Sequence, residues 1–162
     1  MKFSAQEEFG LRCLIAIAKF GDDGSATIPA IAAREGITEP HAAKMLALLR
    51  KEGFISSSRG QTGGYRLAKK PTDIRISNVL AALGGKVYDE AFCDRHSGLI
   101  AECVHHNDCA IRGLWSRVQT AIDGSLAGIT LQDLVDSKVA SNMVPLSSIP
   151  VMDKRPEKLG VE

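Results

Sequence analysis

Residues 38–67 read TEPHAAKMLALLRKEGFISSSRGQTGGYRL, and this stretch decides the fold. Thr38 is the type of residue that caps a helix, and Pro40 suits a first turn, where the amides lack intrahelical partners anyway. Ala42, Met45, Leu46 and Leu49 follow at i, i+3, i+4 and i+7, so one apolar stripe faces a core and His41, Lys44 and Lys51 point outward. Gly53 closes the helix. Residues 54–58 and 65–68 then read as two short strands. They are joined by Arg59-Gly60-Gln61-Thr62-Gly63-Gly64, a glycine-rich hairpin with a basic tip.

Upstream, Ser4 with Glu7 three positions later forms a capping-box pattern, and the helix it opens runs to Phe20 and stops at Gly21. Cys13, Leu14, Ile17 and Ala18 form its inward face. Thr27 caps a second, short helix with Pro29 in its first turn, and Gly36 ends it. Three short helices and a two-stranded hairpin, mainly α with a small β wing, describe a winged helix-turn-helix domain. In that geometry the third helix enters the major groove of double-stranded operator DNA, with Thr38, Glu39, Pro40, His41 and Lys44 towards base edges. Arg59 at the wing tip reaches a narrow minor groove, while Arg50, Lys51, Arg66, Lys69 and Lys70 hold phosphates.

Charge supports this placement. The chain of 162 residues carries a net charge of +1, but residues 1–70 hold 11 Lys/Arg against 7 Asp/Glu and residues 44–70 hold 7 against 1. A basic density of that kind attracts a polyanion. No apolar run approaches the roughly 20 residues that span a bilayer, and the opening Met-Lys-Phe-Ser lacks the apolar core of a secretory signal. The expected location is the cytoplasm, with no membrane contact. A contact with RNA polymerase is compatible with this reading, but no residue marks it.

Downstream of Pro71 a further helix is expected, capped by Ser77, carrying Val79, Leu80 and Leu83, and ended by Gly84-Gly85. Residues 84–109 show no period, whereas residues 110–126 carry Ile111, Leu114, Trp115, Val118 and Ile122 as one stripe broad enough to pack against another helix. A second copy of the chain would cover it. The resulting homodimer would set two recognition helices about one turn of DNA apart, roughly 34 Å, and its operator would be an imperfect palindrome. Thr130 with Asp133 marks one more short helix over residues 131–135, and Pro145, Pro150 and Pro156 mark a mobile tail. The expected organisation is a DNA-binding domain at 1–83, a cysteine-rich loop at 84–109, a dimerisation helix and short terminal helix at 110–136, and a flexible tail at 137–162.

Cys93, Cys103 and Cys109 are separated by nine and five residues, while the fourth cysteine, Cys13, sits on an apolar helical face. In a reducing compartment such a cluster argues for metal or redox chemistry rather than disulfides. Thiolates suit zinc or an iron–sulfur cluster, and three of them leave one position to fill. Glu8, His96, His105 and His106 are the candidates for it. The paired spacing of a regular zinc knuckle is absent. A zinc-bound or metal-free winged-helix repressor is the alternative reading, followed by a small iron–sulfur electron-transfer protein, for which the sequence offers no ferredoxin-like cysteine run. No nucleophile-and-base arrangement points to an enzyme.

Several segments together carry a resemblance. They are the opening Met-Lys-Phe-Ser with Leu11-Arg12; Leu49-Arg50-Lys51-Glu52-Gly53; the hairpin continuing through Tyr65-Arg66-Leu67; Cys109-Ala110-Ile111-Arg112-Gly113-Leu114-Trp115; and Ile129-Thr130-Leu131-Gln132-Asp133-Leu134-Val135. Over residues 1 to about 136 the chain resembles the bacterial iron–sulfur winged-helix regulators of the IscR/NsrR family. The resemblance implies a homodimer with a 2Fe–2S or 4Fe–4S cluster near the subunit interface, held by Cys93, Cys103 and Cys109. It extends the DNA-contacting set to Gln61 and Tyr65 of the hairpin motif. IscR-like members place a histidine ligand three residues after the last cysteine, where this chain has Arg112, so that ligand scheme does not carry over. Other branches use an acidic residue near the chain start, contributed by the partner subunit, and Glu8 occupies the matching place. A carboxylate ligand implies a labile cluster suited to sensing; the plainer role for Glu8 is to favour the positive N-terminus of its helix. Cluster-assembly or stress genes are the targets that the resemblance suggests.

Overall fold

The structure is a computed structural model that describes residues 3–21, 26–58, 60, 63–97, 99, 103, 105 and 109–141. Helix α1 spans Ala5–Phe20 and opens on the expected capping box, in which the Ser4 amide donates to the Glu7 carboxylate at 2.7 Å while the Glu7 amide donates to Ser4 Oγ at 3.2 Å. Helix α2, Ile28–Glu35, is capped by Thr27 through the Ala30 amide at 3.3 Å and ends on Gly36, whose φ of 66° lies in the left-handed region. Helix α3 spans Glu39–Lys51. Its four stripe residues, Ala42, Met45, Leu46 and Leu49, are all buried, so the 3.6-residue period was sufficient to orient it.

Strands β1 (Ile55–Ser58) and β2 (Gly64–Leu67) pair antiparallel, with Ile55 opposite Leu67 and Ser58 opposite Gly64. The first is one residue shorter than expected, and the second has the expected length but starts and ends one residue earlier. Tyr65 also donates its amide to the Ala26 carbonyl at 3.0 Å, which fastens the base of the wing to the lead-in of α2. After a 3-10 turn at Pro71–Asp73, helix α4 spans Ile76–Gly84. The expected cap at Ser77 is incorrect, because Arg75 is the residue that precedes the helix. Arg75 is held extended by a bridge to Thr130, flanked by bonds from Leu131 N to Ile74 O at 2.9 Å and from Ile76 N to Ile129 O at 3.1 Å. That ladder joins segments more than 50 residues apart, so the local sequence carries no trace of it.

Within the stretch expected to be irregular, helix α5 forms a single turn at Phe92–Arg95. Helix α6 covers Ala110–Leu126, and α7, Leu131–Val135, opens on the expected Thr130–Asp133 capping box. The Thr130 bonds hold the Asp133 carboxyl below its usual range. A last turn, α8, occupies Lys138–Ser141, where a tail is expected from residue 137, with Lys138 paired to Asp136 at 2.8 Å. The tail beyond it lies outside the described residues.

One core unites Cys13, Leu14 and Ile17 of α1, Ile31 of α2, Met45, Leu46 and Leu49 of α3, Ile55, Ile74, Val79 and Leu83, and it includes Leu131 of α7. Gly10 admits α4 closely: a Cβ there would lie 2.6 Å from a methyl carbon of Leu83. The terminal helix α7 thus returns to the core of the first three helices, whereas most of α6 stands outside it. Ile111, Leu114 and Trp115 on α6 are 61%, 55% and 36% exposed. Among the described residues no helix is long and apolar enough to cross a membrane.

Candidate DNA interface and cysteine site

The outward row of α3 holds Glu39, Pro40, Lys44, Ala47, Arg50 and Lys51, all exposed. Thr38 is exposed as well and makes no capping bond with its side chain, so its hydroxyl is not committed to the helix end. Ala47 has no place among the expected contacts, yet its small side chain allows the helix axis to approach a groove closely. Arg50 donates to Ser57 Oγ, and Arg66 to Ser56 Oγ, each at 3.4 Å. Consecutive strand residues face opposite ways, so these two guanidinium groups flank opposite faces of the hairpin. Lys69 and Lys70 are exposed after β2, while Tyr65 is half-buried against the core. Arg59 and Gln61 lie outside the described residues.

His41 departs from the expected outward position. It is half-buried, its ring meets Phe9 of α1 edge-on at 4.8 Å between centroids, and its Nε2 is buried with no partner among the described residues. The reason lies in its register, since His41, Met45 and Leu48 at i, i+4 and i+7 form the margin of the core-facing stripe. Arg12 covers Phe9 at 5.2 Å and donates to the Glu35 carboxylate at 2.9 Å. This small stack joins α1, α2 and α3.

Cys13 is fully buried, and burial pushes its thiol up to about 11, as expected of an inert core cysteine. The other three cysteines are free and half-exposed. Cys93 lies in α5, and Cys109 is the N-cap of α6, where its sulfur accepts the Arg112 amide at 3.4 Å. One bond lays the Cys93 segment along the helix that Cys109 caps. The Tyr88 amide donates to the side-chain oxygen of Gln119 at 3.1 Å, which lays residues 88–93 along α6, and Gln119 is itself oriented by Asp123 at 2.9 Å. Tyr88, Phe92 and His96 then form an aromatic file, with centroids 5.3 and 4.3 Å apart.

At the head of this file Cys93 is the largest influence favouring the charged form of the Arg112 guanidinium, with Tyr88 and Cys109 also acting on it. Partial burial, followed by the charge of Cys93, holds the Tyr88 phenol above its ordinary value. Cys103 and the exposed Glu8 are not drawn into this group: among the described residues no three His, Cys, Asp or Glu side chains converge at metal-binding spacing. His96 places Nδ1 at 2.8 Å from the Phe92 carbonyl, His105 is exposed, and His106 lies outside the described residues. As a donor set, accessible thiols from short or irregular segments beside a guanidinium suit an iron–sulfur group, for which the sequence reading proposed them. Tyr88 escaped that reading, because its bond to Gln119 spans 31 residues.

The family model described as Rrf2, iron-dependent transcriptional regulator, matches residues 3–137. The chain is 33% identical over 135 residues to protein rrf2 of Nitratidesulfovibrio vulgaris, covering 83% of this chain and 87% of that protein. It is 30% identical over 140 residues to the HTH-type transcriptional regulator IscR of Aliivibrio salmonicida, covering 86% and 80%. Among solved structures it is similar to CymR, the global cysteine regulator of B. subtilis, with a TM-score of 0.67, 27% identity and coverage of 85% and 98%. IscR of T. potens gives 0.66, 26%, and 88% and 92%. These relatives are transcriptional regulators rather than enzymes, and the winged-helix architecture is common to them. The chain therefore belongs to the Rrf2 family of DNA-binding transcriptional regulators.

Proposed function

We propose that this chain is a cytoplasmic, homodimeric regulator that binds palindromic operator DNA and senses the state of a 2Fe–2S or 4Fe–4S cluster. One observation carries the reading: Cys109 caps the N-terminus of α6 and the Tyr88–Gln119 bond lays the Cys93 segment along the same helix, which also presents the exposed Ile111, Leu114 and Trp115 stripe. A single rigid element thus joins the sulfur donors to the surface that a second copy would cover. The names of the IscR relatives and the iron-dependent description of the family support the same reading. Cys93, Cys103 and Cys109 would hold the cluster, with Glu8 of a partner subunit as fourth donor. Such a group supplies labile, redox-active iron.

The chain's own part is mechanical. Whatever repositions Cys93 against Cys109 also loads the Tyr88–Gln119 latch and the contact between α6 and α4. Through the Thr130–Arg75 ladder, α4 and the end of α6 are tied to the core that carries α3. The spacing of the two α3 helices in a dimer then depends on the sulfur centre, a coupling that is reciprocal by linkage. Cluster-assembly or stress genes are the proposed targets.

Replacing Cys103 by Ala tests the ligand set. Anaerobically reconstituted Cys103→Ala is expected to lose the visible absorbance of the wild type and to change its operator affinity. Glu8→Ala is expected to keep the colour while altering the Mössbauer parameters of one iron. A Cys103→Ala protein as coloured as the wild type would exclude Cys103 as a ligand. A second reading, a zinc-bound or metal-free repressor, draws on the similarity to CymR and on the separation of Cys103 from the Cys93–Cys109 pair. Elemental analysis of protein purified without chelators distinguishes the two.

A further inference from the structure

We propose that Lys44 and Ala47 set the sequence of the operator half-site: Lys44 reads a guanine in the major groove, and Ala47 packs against the methyl group of a thymine at the neighbouring base pair. The inference rests on the operator-binding part of the reading above and is independent of the sulfur centre. Its basis is the make-up of one line along α3. Pro40, Lys44, Ala47 and Lys51 lie at i, i+4, i+7 and i+11, all exposed, on the side opposite the buried Met45, Leu46 and Leu49. Recognition helices present the residues of their N-terminal half to base edges. On this line Lys44 is the side chain in that half that carries a hydrogen-bonding group, since Pro40 and Ala47 have none. Lys51 sits at the last position of α3, roughly 10 Å further along the axis, where it suits a phosphate.

The short side chains of Pro40, Ala43 and Ala47 around Lys44 let the helix settle close to the groove floor, so that the lysine stem reaches the bases. Among the described residues Lys44 forms no ion pair, and Glu39, five positions earlier, falls on a different side of the helix. An ammonium offers three donors and no acceptor. Guanine answers it with two acceptors, N7 and O6, whereas adenine sets an N6 donor beside its N7 and cytosine presents the N4 donor. Residues 38–51 contain neither Asn nor Gln, the side chains that read adenine through a donor and an acceptor together. Ala47 follows Lys44 by three residues, roughly 4.5 Å along the axis, which is near the base spacing of about 3.4 Å. A methyl side chain at that place matches the thymine C5-methyl, the apolar feature that the major groove displays.

The test selects sites from a randomised duplex library, at one salt concentration, with full-length wild type, Lys44→Ala, Lys44→Gln and Ala47→Gly, each checked for its fold by circular dichroism. Wild-type sites are expected to share a guanine with a thymine beside it in each half, and changing that guanine to adenine is expected to weaken binding about 5–150-fold, the usual cost of a mismatched base pair. Lys44→Ala is expected to lose the preference at that position, and Lys44→Gln to move it to adenine. Deoxyuridine in place of the thymine removes the methyl group alone. It is expected to weaken the wild type about fourfold, as one buried carbon would, and to leave Ala47→Gly unaffected. A Lys44→Ala protein that keeps the guanine preference, or that binds every sequence equally more weakly as loss of a phosphate contact would, overturns the assignment of Lys44 and leaves operator binding intact. A wild type indifferent to deoxyuridine overturns the assignment of Ala47, and a wild type that selects no sequence overturns the operator-binding reading as well.

Discussion

Leu114→Asp combined with Trp115→Asp is expected to leave the chain monomeric by size-exclusion chromatography with light scattering, and to weaken operator binding by roughly 10²–10⁴-fold, the span by which linked sites exceed single ones. Neither side chain packs against the core, although Trp115 is only 36% exposed, so the substitutions should cost an isolated chain no more than about 1–2 kcal/mol. In a dimer built on this face the same carboxylates would be buried without partners, at a cost of several kcal/mol. The combination of an intact fold and lost association is the signature. A double variant that remains dimeric with wild-type affinity would mean that the α6 stripe is not the dimer contact.

Leu131→Ala is expected to cost about 2–5 kcal/mol in urea unfolding, the usual range for truncating a buried leucine. Leu131 is fully buried although it lies near the end of the folded region, and its amide closes the ladder to Ile74 at 2.9 Å. The loss should lower the melting temperature by roughly 7–14 °C for a mid-range cost, at about 2–4 °C per kcal/mol for a chain of this size. It should also loosen the attachment of α6, because the bridge from Arg75 to Thr130 follows directly on that helix. A cost below about 1 kcal/mol would show that α7 is a dispensable appendage.

The parts of the fold that were readable in advance are those fixed within a few residues. The α3 stripe, the capping boxes at Ser4 and Thr130, and the end of α2 at Gly36 each depend on neighbours in sequence, and all are present. The elements that escaped are held by distant segments or are too short to show a period. Arg75 starts α4 because Thr130 holds it extended, and α5 and α8 are four residues each. His41 turns inward because Phe9, 32 positions earlier, offers it a face. At the candidate site, residue type and spacing singled out the three cysteines, whereas the docking of the Cys93 segment on α6 required Gln119 to capture the Tyr88 backbone across 31 residues. Arg112 was visible in the sequence only as a departure from the family's histidine.

The most direct measurement is an anaerobic binding titration, at one fixed salt concentration, of iron-loaded and chelator-stripped protein against a DNA site selected from a random-sequence library. If the sulfur centre governs the dimer's grip on DNA, the two forms will differ in Kd by about 5–150-fold, the range of typical coupling between linked sites. Equal Kd values for the two forms, with no visible absorbance in the reconstituted protein, would contradict a cluster-sensing role and leave a regulator that acts without iron.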